Sequence, residues 1–501
     1  MAIVALWLVG CAAAPISSRP ALERKIAFAD SAYRELHPEN LLRYNSAIAD
    51  LAREMERSEP TAFAAQLERS GVSLNLPSSK LPLVRFHLVR DTAKSAPATF
   101  IGVPMLIEYD TKHAPLHPPE GMLLPATALY THDSRGGRLS LLVERKSIVV
   151  RGQEYPLAAD YGASGWLLRK RAARLRKSGF MSMIRPSRIE RKTQIYLIDP
   201  YHPDKIPILM VHGLQSTPVA FVPLVNALHS DSDIRERYQI WQFHYATGLP
   251  VLVNAAILRD EIAKTIRLVD PHNRHAATKR IVVLGHSMGG IISHTLVSSS
   301  GDELWKSLFT RAPEKLRGNR EAIERLEDVM FFRRNPRVRR IIFMATPHRG
   351  SPMSDSWIGG IGKALSRLRS PVLESGLNEV ARSNPSSMTP AGLAFYNGES
   401  FTAVRTLSAR NPSLIALSTL PIGVPFHSIM GQKKPGPTEQ GTDGVVPYSR
   451  SHLRDAASEL VVRGGHNVFN HPDAAREIVR ILRLELRRPA ARVRRGARIT
   501  D

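Results

Sequence analysis

The chain is poor in cysteine, aromatic residues and acidic side chains. Cys11 is the one cysteine among 501 residues, so no intrachain disulfide can form. Aromatic residues make up 6% of the chain and do not alternate with the basic ones, which disfavours a nucleic-acid-binding surface. No group of Cys, His, Asp or Glu has the spacing of a metal site. We therefore expect no nucleic-acid partner, no metal and no other cofactor.

Positive charge dominates the composition. Lys and Arg number 69 against 45 Asp and Glu, which gives a net charge of +24. Such a charge is typical of proteins that contact anionic surfaces, and it also fits a solvated surface rich in arginine. Hydrophobic residues make up 43%, so a chain of this length can fold into two or three domains with sizeable cores.

The N-terminus, MAIVALWLVGCAAAP, is apolar but too short to span a bilayer as a helix. Residues 8–11, Leu-Val-Gly-Cys, resemble a bacterial lipobox, which implies that Cys11 becomes the lipid-modified first residue of the mature protein. Ala12 then favours the outer membrane, facing the periplasm of a Gram-negative cell. One departure from this resemblance is that no Lys or Arg precedes the apolar run; a true start upstream or a weak signal would explain it. An ordinary signal peptide, removed together with Cys11, is the alternative.

Three segments follow from composition and periodicity. We predict a lipoprotein signal and tether over residues 1–18, an accessory α+β region over 19–189, and a catalytic α/β domain over 190–501 with a basic C-terminal tail. The accessory region is expected to hold helices over 21–36 and 41–57, then strands over 83–89, 127–130 and 139–150. The basic stretch 169–192 is either a surface linker or a membrane-facing strip.

Strands alternate with helices from about residue 190. Expected strands lie at 206–211, 238–245, 281–284, 338–345, 426–430 and 459–462, and expected helices at 219–228, 252–268 and 477–486. This alternation predicts a mainly parallel sheet.

The segment IVVLGHSMGGII, residues 281–292, contains the sharpest chemical signal. A buried strand runs into Gly-His-Ser-Met-Gly, and a helical pattern follows. A Ser on a strained strand-to-helix turn presents its hydroxyl as a nucleophile, and neighbouring side chains have to be small. The sequence therefore predicts Ser287 as a catalytic nucleophile.

A nucleophilic serine needs a base that takes its proton and an acid that orients this base. His466 follows the last predicted strand in a Gly-Gly-His-Asn loop and is the predicted base, while His471 is expected to begin the closing helix. Asp443, in Gly-Thr-Asp-Gly, is the predicted acid, with Asp355 as the alternative. For the oxyanion hole we predict the backbone N–H groups of Leu214 and Met288.

Residues 206–486 resemble an α/β-hydrolase of the lipase and esterase kind. The resemblance rests on Val-His-Gly-Leu at 211–214, Gly-His-Ser-Met-Gly-Gly at 285–290, Ala-Thr-Pro-His-Arg-Gly-Ser at 345–351 and Thr-Asp-Gly-Val-Val-Pro at 442–447. These motifs are similar to those of bacterial lipases and of lipases that deacylate the inositol of GPI anchors. The resemblance implies a cap or lid, which we place at about 351–420, either mobile with a glycine hinge or packed as a fixed cap.

The leading hypothesis is a membrane-tethered serine hydrolase that cleaves carboxylic esters, with a lipid or acyl ester as substrate. An acyltransferase and a non-catalytic lipoprotein that uses the fold as a binding scaffold are the alternatives. Acyl transfer would use the same triad.

Overall fold

The structure, a computed structural model, describes residues 19–89, 99–118, 121–165, 167, 193–350, 379–396 and 403–487. Cys11, Asp355, the basic stretch 169–192 and the C-terminal tail after residue 487 lie outside these residues. The chain divides into two compact units, residues 1–167 and 168–501, whereas the sequence interpretation places the boundary at residue 190.

The first unit combines three helices with a mixed sheet. Its helices are α1 (Arg19–Arg34), α2 (Leu41–Arg57) and α3 (Pro60–Arg69). Its strands are β1 (Val72–Asn75), β2 (Leu83–Leu88), β3 (Val103–Tyr109), β4 (Met122–Asp133), β5 (Gly136–Leu142), β6 (Ser147–Val150) and β7 (Gln153–Pro156). Five strands form one sheet in the order β1-β5-β4-β3-β2, and β6 and β7 form a separate hairpin. Only β1 and β5 pair in parallel within the larger sheet.

The helices and the larger sheet share one hydrophobic core. Leu22, Ile48 and Phe63 of the helices cluster with Phe86 and Leu129 of the sheet, all at most 1% exposed. The Tyr44 hydroxyl donates to the Tyr130 carbonyl at 2.5 Å and accepts from the Tyr130 amide at 3.0 Å. This pair of bonds fixes α2 against β4.

The second unit is an α/β sheet domain. Its strands are β8 (Gln194–Leu197), β9 (Ile206–Val211), β10 (Tyr238–His244), β11 (Ile281–His286), β12 (Val338–Met344), β13 (Phe426–Gln432) and β14 (Ser458–Arg463). They form one sheet in the order β14-β13-β12-β11-β9-β10-β8. Every pairing is parallel except that of β8 with β10. The predicted mainly parallel sheet is confirmed.

Helices connect and cover these strands. They are α4 (Val222–Ser230), α5 (Ser232–Arg237), α6 (Val251–Val269), α7 (Met288–His294), α8 (Glu303–Leu308), α9 (Arg320–Met330), α10 (Pro390–Tyr396), α11 (Ala403–Thr406), α12 (Pro412–Thr419), α13 (Tyr448–Ser451) and α14 (Pro472–Leu486). All residues of β9 and β11 are buried, as expected for parallel strands with both faces covered.

Several local predictions are wrong or incomplete. The strand predicted over 139–150 is two strands, because Glu144 adopts a φ of 57° between β5 and β6 and an L-residue in that region breaks an extended run. Pro60 does not merely end α2: it also occupies the first turn of α3, where a missing N–H costs nothing. Strands β1, β3, β7 and β8 went unpredicted.

The predicted lid is described only in part. Helices α10, α11 and α12 lie within 351–420, while the proposed glycine hinge at 358–362 lies outside the described residues. Within the described part of the chain, we find no helix with the length and apolar character needed to cross a membrane.

Candidate active site

The site lies at the carboxyl edge of the parallel sheet, where loops from neighbouring strands meet. Ser287 directly follows β11, and Gly213 comes two residues after β9. Asp443 lies in the segment after β13, and His466 in the loop after β14. The fold therefore brings together four segments that span more than 250 positions of the sequence.

Ser287 occupies a strained turn between β11 and α7. Its φ is 54° and its ψ is −125°, a backbone conformation that L-residues rarely adopt. Its amide donates to the Met344 carbonyl at 2.9 Å, and its carbonyl accepts from the Gly290 amide at 2.9 Å. These bonds hold the sharp turn that a nucleophile elbow requires.

Close backbone approach explains two of the glycines around Ser287. A Cβ on Gly289 would collide with the carbonyl oxygens of Val211 and His212. A Cβ on Gly213 would lie 2.9 Å from the Cβ of Ser287. Any larger residue at these two positions would push the nucleophile turn away from the end of β9.

The three predicted triad residues form one hydrogen-bonded chain. The Ser287 hydroxyl lies 2.9 Å from His466 Nε2. His466 Nδ1 lies 2.7 Å from Asp443 Oδ2. Because the carboxylate only accepts, Nδ1 carries the proton and Nε2 is left to accept the proton of the Ser287 hydroxyl. This is the geometry that general-base activation of a serine needs.

Asp443 is itself held firmly. Its side chain is 2% exposed, and its Oδ1 accepts the amides of Val445 and Val446, each at 2.7 Å. With Oδ2 taken by His466, both carboxylate oxygens have donors. The loop therefore fixes the carboxylate in place, and the carboxylate fixes the His466 ring.

The competing candidates have other positions. His471 precedes α14, and its Nδ1 accepts the Asp473 amide at 3.2 Å, which is an N-cap interaction. Asp355 lies outside the described residues. Among the described residues, it is Asp443 that contacts Nδ1 of His466.

Leu214 and Met288, the predicted oxyanion donors, flank the nucleophile. Met288 is the first residue of α7, so its N–H has no intrahelical acceptor. Leu214 follows Gly213, which approaches the Ser287 side chain as described above. In the part of the chain that the structure covers, no protein group accepts from the Leu214 amide. Their binding of an oxyanion stays a prediction.

Two buried histidines lie beside the triad. Burial lowers the pKa of His212 and of His286 to about 3, so both rings are neutral. His212 stacks on Tyr245 with 4.3 Å between ring centroids, and the Tyr245 hydroxyl donates to the His212 carbonyl at 2.5 Å. These two contacts hold His212 in place next to Gly213 and Leu214. The supporting role of Tyr245 was not predicted, because nothing in the local sequence marks it.

An apolar cavity lies beside α7. It has a volume of about 50 Å³, and Ile291 forms part of its wall. Its other walls include Val251, Leu308, Met330 and Leu414. Ile291 lies on α7, the helix that begins directly after Ser287. The cavity therefore borders the nucleophile helix, although none of its lining residues belongs to the triad.

Over the described ranges, no three His, Cys, Asp or Glu side chains converge in a way that could hold a metal ion.

The sequence matches no protein-family model and no curated protein. Solved structures show distant likenesses, which span a little over half of this chain. The mature Bacillus licheniformis lipase BlEst2 is 16% identical over 57% of this chain and 97% of the lipase, with a TM-score of 0.34. A lipase-esterase related protein from Clostridium acetobutylicum is 15% identical over 57% of this chain and 99% of its own, with a TM-score of 0.29. The metagenomic carboxyl esterase MGS0156 is 17% identical over 56% of this chain and 76% of its own, also with a TM-score of 0.29. These likenesses are too weak to indicate an activity.

Proposed function

We propose that this chain is a serine hydrolase of the α/β-hydrolase type that cleaves carboxylic esters. The observation that supports this most strongly is the chain of hydrogen bonds from Asp443 through His466 to Ser287, set on a strained turn after a parallel strand. The order Ser, Asp, His along the sequence is that of the α/β-hydrolase triad.

The reaction follows from the positions of these atoms. Ser287 Oγ attacks the acyl carbonyl carbon while its proton passes to His466 Nε2. The imidazolium, held by Asp443, then protonates the departing alkoxide and leaves an acyl-enzyme. Water then gives a proton to the same Nε2 and attacks the acyl carbon. The bond from that carbon to Ser287 Oγ breaks, Oγ takes the proton back from Nε2, and the acid is released. The amides of Leu214 and Met288 are proposed to stabilise the oxyanion.

We place the first carbons of the acyl chain in the cavity beside α7. A cavity of 150 Å³ holds benzene, so one of about 50 Å³ takes roughly two or three carbons. This supports an acyl ester as the substrate, and the proposed membrane tether extends the proposal to lipid esters. A bulky Leu414→Trp substitution should fill the cavity and lower kcat/KM for a butyryl ester more than for an acetyl ester. Equal losses for the two esters would remove the cavity from the proposal.

The test of the activity itself is hydrolysis of p-nitrophenyl acetate and butyrate by the parent and by Ser287→Ala. We expect Ser287→Ala to lower kcat by a factor of about 10⁴ or more, because the triad acts as a unit. If it keeps activity within about tenfold of the parent, the assignment of Ser287 is wrong. Adding an alcohol to the assay tests the acyltransferase alternative, because acyl transfer would give a new ester as product. A folded parent that turns over neither ester would support the binding scaffold.

The membrane tether is a separate proposal, supported by the residues around Cys11. Growth with labelled palmitate should label the parent and leave Cys11→Ser unlabelled. Labelling of both would place the lipid elsewhere, and labelling of neither would favour an ordinary signal peptide. Fractionation of Gram-negative cells then tests the proposed outer-membrane location.

A further inference from the structure

We infer that His286, the residue before the nucleophile, is a positioning residue that holds the loop of the base in place. This inference rests on the proposed function, since it assigns a role in presenting His466 to Ser287.

The central contact is a hydrogen bond between side chain and backbone. His286 Nε2 lies 3.0 Å from the His466 carbonyl oxygen. The same carbonyl accepts the Val468 amide at 2.9 Å, which is local to the base loop. His286 therefore supplies the bond that joins the backbone of the base to the nucleophile strand, across 180 positions of the sequence.

The His286 ring fills the space between three parts of the site. Its centroid is 4.9 Å from that of His466 and 4.8 Å from that of Phe469, with the Phe469 ring edge-on. On the other side, its Nδ1 lies 3.1 Å from where a Cβ on Gly213 would be. The ring thus contacts the base loop and also borders the oxyanion turn.

The protonation of His286 suits a fixed donor and not a second base. Burial lowers its pKa to about 3, so the ring is neutral and carries one proton. A carbonyl oxygen only accepts, so this proton lies on Nε2. His466 Nε2, and not His286, lies within hydrogen-bond distance of the Ser287 hydroxyl. His286 acts through His466 and contacts no reacting atom.

Catalysis depends steeply on such placement, since a 1 Å error in a reacting group is worth about 10²-fold in rate. We expect His286→Leu to lower kcat by about 10- to 100-fold with KM nearly unchanged, because acyl binding does not involve this ring. In His286→Gln the amide nitrogen replaces the Nε2 donor, so kcat should return to within about fivefold of the parent.

A matched control is His294→Leu. His294 lies on α7, is 1% exposed, and is also neutral because burial lowers its pKa to about 4. Its ring contacts, among the described residues, are with Phe343 and His348 and not with the triad. Both His286→Leu and His294→Leu therefore remove a buried neutral histidine. Only His286→Leu also removes the hydrogen bond to His466.

The experiment measures kcat and KM for p-nitrophenyl butyrate on the full chain, with the active fraction of each variant counted by titration with a fluorophosphonate. Ser287→Ala is measured in parallel. The inference holds if His286→Leu loses kcat per active site, His286→Gln recovers it and His294→Leu stays near the parent. It is overturned if His286→Leu keeps the parental kcat, or if the kcat of His286→Gln is no higher than that of His286→Leu.

Two further outcomes are distinguishable. If Ser287→Ala remains active, the proposed function fails, and the inference fails with it. If His286→Leu does not fold, His286→Phe takes its place, since Phe fills the same space without a donor. The same loss of kcat is expected from it, and parental kcat would overturn the inference.

Discussion

Replacing Asp443 by Asn tests the acid of the site with almost no change in shape. Oδ1 of Asp443 faces two amide donors, from Val445 and Val446, so the Asn carbonyl oxygen should take that position. The Asn NH₂ group then faces His466 Nδ1, where the carboxylate was. Two donors cannot face each other, so Nδ1 has to give up its proton and the proton moves to Nε2.

A proton on Nε2 blocks general-base catalysis, because this nitrogen lies 2.9 Å from the Ser287 hydroxyl and has to accept its proton. We expect kcat to fall by about 10³- to 10⁴-fold, which corresponds to about 4–5.5 kcal/mol of transition-state stabilisation. Folding should be largely preserved, because the two amide donors keep an acceptor.

The assay is hydrolysis of p-nitrophenyl butyrate, with circular dichroism to show that Asp443→Asn is folded. Asp355→Asn is the control, since it makes the same chemical change at the alternative acid; it should stay within about threefold of the parent. The reasoning would be refuted by an Asp443→Asn variant within about tenfold of the parent, above all if Asp355→Asn loses activity.

Three further predictions concern the glycine and the buried histidines. Gly213→Ala should lower kcat by about tenfold or more, because its Cβ would lie 2.9 Å from the Cβ of Ser287; steady-state kinetics checks this. Burial lowers the pKa values of His212 and His286 to about 3, so neither ring should titrate above about pH 5. The fall of kcat/KM towards acid pH should therefore follow the binding of one proton. A steeper fall would show that these histidines are not neutral. Buried histidines that stay neutral bind protons only when the protein unfolds. Lowering the pH from 7 to 5 should therefore reduce the free energy of unfolding by about 1–2 kcal/mol for each such histidine. In urea titrations, His294→Gln should lose less stability over this pH range than the parent.

The sequence predicted best where chemistry and periodicity are local. The strand at 206–211 has the observed bounds, because an unbroken apolar run fits a strand covered on both faces. The turn at Ser287 was visible because its glycines are close in the sequence. The sequence around His471 marked the start of the closing helix, whose N-cap this residue is, although periodicity predicted only residues 477–486 as helical.

Long-range contacts could not be predicted in this way. Nothing near Tyr245 shows that its hydroxyl donates to His212, and nothing near His286 shows that it reaches the carbonyl of His466. These bonds exist only once parallel strands bring their ends together. Strand β8 was missed because four residues are too few to show periodicity, and its antiparallel pairing with β10 departs from the alternation that predicted the rest of the sheet.

The central claim is that the hydrogen-bonded chain activates Ser287, and covalent labelling tests this most directly. The folded parent would be treated with a fluorophosphonate probe, with and without detergent micelles, and the modified peptide would be mapped by mass spectrometry. Our account predicts one modified residue, Ser287, with labelling abolished in Ser287→Ala and strongly slowed in His466→Ala. Labelling at another residue, or a folded parent that stays unlabelled under both conditions, would contradict it.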